Sequence, residues 1–171
     1  AHRRVLQASH LLPDLYASLQ MELSAVPGPE EGTERIADLV VHVPPGRILF
    51  LPREGRSTAT LEVGLVALDV AGHENLRVAR TIHIALDHEA AYPGDLGLNI
   101  FTRVRFSPSG QTITAVLSDS ATGAVGASRS SFPAAASRPG GVLGLSLYSL
   151  AEKSIWVELR EIADADAPPE A

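Results

Sequence analysis

Hydrophobic and polar residues alternate along most of this chain. In "YASLQMELS" the residues that share the apolar face are Ala17, Leu19, Met21 and Leu23. The segment "ADLVVHV" repeats the pattern, with His42 outward and three residues inward: Leu39, Val41 and Val43. Successive side chains of a strand point to opposite faces, so this period of two predicts half-buried β-strands.

Short strands separated by turn residues are predicted along the rest of the chain. The further segments are "RILFL", "TATLEVGLVALDV", "LRVARTIHIAL", "NIFTRVRF", "TITAVLS", "GAVGASRSSF", "VLGLSLYSL" and "SIWVELREI". The turns centre on Gly72, on Pro108 with Gly110, and on Gly123. "TATLEVGLVALDV" becomes apolar on both faces towards its end, as a central strand would be. This pattern predicts an all-β fold, an antiparallel β-sandwich.

Helix is predicted in two places at most. "AHRRVLQASHLL" is either a short helix or an extended lead-in strand, and "EGTERIADL" has room for one turn. We therefore expect an N-terminal lead-in segment over residues 1–15, a sandwich domain over 16–162, and an acidic, proline-containing tail over 163–171.

Composition excludes several classes of function. A chain of 171 residues with 45% hydrophobic and 20% charged residues is expected to form one globular domain. Its net charge of -6 argues against non-specific binding to nucleic acid. There is no apolar run long enough to span a bilayer. The sequence has no cysteine, which excludes disulfides and thiolate metal sites.

The stretch "TIHIALDHEAAYPGD" concentrates His83, Asp87, His88 and Glu89, and it raises the question of a metal site. In a strand, His83 shares a face with Asp87 and Glu89, whereas His88 lies on the opposite, apolar side. In a helix, five residues rotate the second imidazole roughly 140° away from the first. The stretch is therefore predicted to be a strand with a polar outer face, and no metal or cofactor is expected.

No catalytic motif is present in the sequence. "GASRS" around Ser128 lacks the second glycine of a nucleophile elbow and is interpreted as strand. "SDSATG" is interpreted as a hairpin turn, in which Asp119 and Thr122 bond local backbone and Gly123 takes a positive φ. The prolines of "VPPGRI" remove donors that a phosphate loop needs. The chain is predicted not to be an enzyme, and a hydrolase or other enzyme using His83 or His88 with Asp87 stays as a further alternative.

Taken in order, these segments resemble the C-terminal region of bacterial VWFA-related proteins. The matching turn-and-strand residues are Phe50, Gly55, Asp69, Gly72, Pro108, Gly110, Asp119, Gly123 and Gly126. In that family a von Willebrand A domain precedes an immunoglobulin-like or fibronectin-III-like sandwich; the A domain is absent from this chain. The resemblance covers roughly residues 3 to 162. It implies an exported protein, periplasmic or extracellular, although the first residues show no signal-peptide pattern.

Two functions are consistent with these observations. The first is a non-catalytic interaction or structural module that binds protein partners, forms a homo-oligomer or builds an envelope or extracellular assembly. The alternative is a carbohydrate-binding module, which normally uses exposed aromatic residues, and only 5% of this sequence is aromatic. In either case the candidate contact residues are Tyr92, Tyr148 and Trp156, and Trp156 is predicted to share the polar face of its strand with Ser154 and Glu158.

Overall fold

The structure is a computed structural model, and it describes residues 17–31, 34–87, 93–107, 110–131 and 154–159. Over these residues the fold is all-β, as the alternation predicted. The strands are β1 (Glu22–Glu31), β2 (Glu34–Val43), β3 (Leu51–Arg53), β4 (Arg56–Asp69), β5 (Glu74–Asp87), β6 (Gly97–Phe106), β7 (Gly110–Asp119), β8 (Val125–Ser131) and β9 (Ser154–Glu158). A turn of 3₁₀ helix at Pro93–Asp95 precedes β6.

The first sheet has the order β1-β2-β6-β9. β1, β2 and β6 pair antiparallel, with Val41 opposite Ile100, whereas β9 pairs parallel to β6, with Leu98 opposite Ile155. The prolines in β1 suit its place at the edge, because proline cannot donate to a ladder. The register of β1 shifts between Pro27 and Glu30.

The second sheet is built around β4. β5 pairs along one side of β4, and β7 pairs along the other side with β8 beyond it. The short β3 pairs with the first residues of β4. Gly64, Leu65, Val66 and Ala67 are all buried, so the prediction of a central strand is confirmed.

The core lies between the two sheets and follows the predicted alternation. Leu39, Val41 and Val43 are buried in it, while His42 lies on the outer face. In β5 the core residues include Ile82 and Ile84. The inward residues of the other strands are Leu61, Val63, Leu65, Leu98, Ile100, Val104, Phe106, Ile113, Ala115 and Leu117. Aliphatic side chains supply most of this interior because aromatic residues are scarce.

Residues 17–21 connect the two sheets. The backbone N–H of Leu19 donates to the carbonyl of Val125 at 3.1 Å, and Ala17 forms an isolated antiparallel bridge with Gly126. The Ser18 hydroxyl accepts the N–H of Val125 at 2.9 Å and lies 3.0 Å from its carbonyl oxygen. This segment therefore carries Leu19 and Met21 into the core, whereas Ala17 remains exposed.

The predicted turns at Gly72 and Gly123 are confirmed. Both glycines have positive φ, 84° and 71° respectively. The Asp119 carboxylate accepts the N–H of Ala121 at 2.9 Å, and the Thr122 hydroxyl accepts the N–H of Ala124 at 3.1 Å. The side chains therefore bond local backbone, as expected for this turn.

Two local predictions are wrong. The possible helical turn in "EGTERIADL" is replaced by β2, which begins at Glu34 because its pairing with β1 and β6 satisfies the backbone. The "RILFL" strand is displaced, since β3 begins only at Leu51, where it can pair with β4. The N-terminal helix or lead-in, "VLGLSLYSL" and the acidic tail lie outside the described residues. The immunoglobulin or fibronectin-III identity of the sandwich stays a prediction.

Candidate contact surface

The outer face of the first sheet brings together side chains from all four of its strands. Ladder pairing places Glu22 of β1 opposite His42, His42 opposite Asn99, and Asn99 opposite Trp156. Neighbouring strands lie about 4.8 Å apart, so this row extends roughly 14 Å across the sheet. A second row, one pleat along, joins Ser24, Val40, Phe101 and Glu158. We call these two rows the Trp156 surface.

Trp156 is the most prominent side chain of this surface. Its exposure is 49%, and it lies on β9 with Ser154 and Glu158 on the same face, as the alternation predicted. In the other row Val40 is buried and Phe101 is half-buried. The indole of Trp156 therefore presents about half of its surface on a face that also carries these apolar side chains.

The polar centre of the surface is a pair of side chains held in place by one hydrogen bond. His42 Nδ1 lies 2.8 Å from Asn99 Oδ1, so an Nδ1 proton on the imidazole is donated to the amide oxygen. Asn99 is only 5% exposed. Its position beside Trp156 is therefore fixed before any ligand arrives.

Ion pairs mark one end of this face. Arg103 donates through Nε to Asp38 Oδ1 at 2.7 Å and through a terminal nitrogen to Asp38 Oδ2 at 3.1 Å. Arg105 and Glu34 lie 4.0 Å apart. The carboxylates of Glu22 and Glu158 are exposed on the two edge strands, β1 and β9. The surface thus has an aromatic and polar centre with charges around it.

Close packing at Gly97 fixes β9 against β6. An added Cβ at this position would lie 3.3 Å from Ser154 Oγ and 3.3 Å from the carbonyl oxygen of Val43. The small residue lets the parallel pair form next to β2, and this pair holds Trp156 in the row. Sequence reasoning identified Trp156 and the outward His42 but missed Asn99, whose only local signal is an amide at an outward position of an apolar strand.

The other predicted contact residues, Tyr92 and Tyr148, lie outside the described residues, as do His88 and Glu89. His83 is exposed on the outer face of the second sheet, where its Nδ1 lies 3.2 Å from the Thr60 hydroxyl. Asp87, four residues further along β5, pairs with Arg56 at 3.0 Å. The interpretation of this stretch as a strand with a polar outer face is confirmed as far as Asp87.

The side chains that could bind a metal or act in catalysis are dispersed over the part of the chain that the structure describes. Within it no group of three or more His, Asp or Glu residues has the geometry of a metal site. His73 bonds Asp69 in the β4–β5 turn. The Ser128 hydroxyl lies in β8 and accepts the backbone N–H of Leu23 at 3.1 Å, which agrees with reading "GASRS" as strand.

A shallow depression of about 300 Å³ lies where the N-terminal segment crosses β8. It is lined by residues 17–21, Arg47 and Ala127. The described residues of this lining include no carboxylate or imidazole, so they offer no acid–base pair.

The sequence matches no family model, and no curated protein is detectably similar to it. Its fold alone therefore defines its class, and that class is the all-β proteins. No helix in the described ranges is both long and apolar enough to cross a bilayer.

Proposed function

We propose that this chain is a non-catalytic interaction or structural module that binds a protein partner through the Trp156 surface. The observation that carries the proposal is the half-exposed indole of Trp156 beside the fixed His42–Asn99 pair. Tryptophan is enriched among the residues that dominate binding energy, and such anchors lie near the centre of a contact patch.

The composition of the surface favours a protein partner. An interface typically combines an apolar, aromatic core with a polar rim. Here Trp156 and Phe101 supply the aromatic part, and the rim contains the Arg103–Asp38 pair and the carboxylates of Glu22 and Glu158. A partner with a basic rim would complement those carboxylates and the net charge of -6.

An aromatic photo-crosslinking amino acid at position 156, which keeps an aromatic ring in place of the indole, tests this proposal when it is introduced into the chain in its source cells. Leu51 is the matched control, because it is 48% exposed but lies on the other sheet. We expect a discrete protein adduct from position 156 and none from position 51. Equal capture at both positions, or no adduct at 156, would contradict a partner site at this surface.

A carbohydrate ligand is the second candidate, and the row itself favours it. An exposed indole with the half-buried His42 imidazole in the same row is a suitable combination for stacking on and hydrogen bonding to a sugar ring. Wild type and Trp156→Ala would be compared on a glycan array, with Leu51→Ala as control. Selective binding that only Trp156→Ala abolishes supports a sugar site and argues against the protein partner.

We further propose that the chain belongs to an exported assembly, periplasmic or extracellular. The support is the resemblance to VWFA-related C-terminal regions, whose turn residues Asp69, Gly72, Asp119 and Gly123 form turns here as well. Cell fractionation with an antibody against the chain tests the location. Recovery in the cytoplasmic fraction alone would refute it.

A further inference from the structure

β5 is a long edge strand with one partner among the residues that the structure describes. Residues 76–87 pair without interruption with residues 67–56 of β4, and a register irregularity precedes this stretch near Asn75. No described strand pairs with the opposite side of β5. An edge of this length presents a row of backbone donors and acceptors that can template another strand.

The two faces of β5 differ strongly in character. Its inward side chains include Val78, Ile82 and Ile84, which are buried in the core. On the outward face, exposed residues with small or medium side chains follow one another: Ala79, Thr81, His83 and Ala85. Between Ala79 and Ala85, a strand added to this edge would meet no bulky side chain on the outer face, provided that it continued the same alternation.

We propose that β5 pairs antiparallel with β5 of a second copy of this chain, about a twofold axis through Ile82. The axis is perpendicular to the sheet, so the inward face of one copy continues the inward face of the other. Thr81 then lies opposite His83, and Ala79 opposite Ala85. Residues 77–87 of each copy face one another, which allows on the order of ten backbone hydrogen bonds.

Charge complementarity selects this partner and this register. Arg77 of one copy lies opposite Asp87 of the other, and the twofold axis repeats the pair. Within each copy Arg77 bonds Glu74, with Nε 2.6 Å from Oε1, and Asp87 bonds Arg56. The dimer therefore links four side chains of alternating sign at each end of the ladder. Such local attraction matters because two copies with net charge -6 repel each other overall.

The two registers on the N-terminal side of Ile82 lack this match. An axis through Thr81 places Arg77 opposite Ala85 and Asp87 opposite Asn75. An axis through Arg80 places the two Arg80 side chains opposite each other, and like charges directly opposite are destabilising. Arg80 is exposed although it shares the inward parity with Val78 and Ile82. It therefore disfavours one wrong register.

Sedimentation equilibrium of the chain and of two charge reversals tests this proposal. We expect the wild type to dimerise with concentration, and Arg77→Glu or Asp87→Arg to weaken the dimer about tenfold or more, since each opposes like charges twice. The double variant Arg77→Glu/Asp87→Arg exchanges the charges and should restore the dimer. Arg129→Glu on β8 and Glu22→Arg on β1 are controls for the change in net charge and should leave it intact.

Concentration-dependent hydrogen exchange locates the contact. Amides of residues 77–87 should become protected as the dimer forms. The proposal is overturned if the wild type is monomeric at all concentrations. It is also overturned if neither reversal changes the dissociation constant of the dimer, or if the double variant dimerises no more tightly than the single variants. Melting temperatures of the variants show whether a single reversal weakens the dimer by unfolding the chain. The double variant provides a second check, because it also loses the bonds to Glu74 and Arg56 within each copy but regains the opposite charges between copies.

This inference does not depend on the Trp156 surface. Trp156 lies on the other sheet, so Trp156→Ala should leave the dissociation constant of the β5 dimer unchanged. Failure of the dimer would therefore not count against the partner site, and failure of the cross-link at position 156 would not count against the dimer.

Discussion

Gly126 is the position at which a single methyl group should do the most damage. A Cβ added there would lie 2.1 Å from the carbonyl oxygen of Leu19 and 3.0 Å from Met21 Cγ. Carbon–oxygen contacts normally lie at about 3.3 Å or more, so residues 17–21 must move outward by roughly 1 Å. We expect Gly126→Ala to distort the connection between the two sheets.

The cost follows from what that movement disrupts. Overpacking costs about 1–3 kcal/mol, and weakening the hydrogen bond from Leu19 to Val125 costs about 0.5–1.5 kcal/mol. Leu19 and Met21 also lose part of their burial. The free energy of unfolding should fall by about 2–4 kcal/mol, enough to measure but within the stability of a typical domain.

Urea unfolding followed by the fluorescence of Trp156, the single tryptophan of the sequence, measures this change. Gly123→Ala is the control, because Gly123 has positive φ but an added Cβ there meets nothing within 4 Å. It should lose about 1–2 kcal/mol from backbone conformation alone. If Gly126→Ala is no more destabilising than this control, the close approach of the N-terminal segment is not what makes glycine necessary there.

Three further substitutions test individual contacts. Asp119→Ala removes a fully buried carboxylate that accepts the N–H of Leu49 at 3.1 Å, so urea unfolding should show a loss of about 1–3 kcal/mol; an unchanged midpoint would contradict this role. The backbone N–H of His73 is the main cause of the lowered pKa of Asp69. The resulting stabilisation is present above the ordinary value of 3.8 and is lost as pH falls through the lowered folded-state pKa, so Asp69→Asn should melt below wild type at neutral pH and match it in strong acid. Gly97→Ala should speed amide exchange in β9, and unchanged exchange would show that the sheet accommodates the methyl group.

The alternation of side chains predicted strands in both sheets, at their centres and at their edges. For β4 and β5 the local pattern and the turn at Gly72 agree, so the faces of Ile82 and His83 followed directly from the sequence. The same reasoning placed Trp156 on a polar face. These features are local, because the period of two and the left-handed glycine are properties of neighbouring residues.

Long-range pairing explains what the sequence did not predict. The "RILFL" segment is apolar enough for a strand, but the ladder forms only where β4 offers partners, from Leu51 onward. The pairing of His42 with Asn99 joins residues 57 positions apart, and the close approach at Gly126 depends on Leu19. No local pattern encodes such contacts, since they depend on which strands become neighbours.

The parallel pairing of β9 with β6 affects the order in which the chain folds during synthesis. Residues 97–101 cannot form their ladder with residues 154–158 until those residues have left the ribosome, because β9 is the last strand of the described fold. Until then the nascent first sheet ends at β6 with an open side. A chain that stops before Ser154 keeps that side open, and we expect such truncated products to aggregate unless another strand occupies the gap.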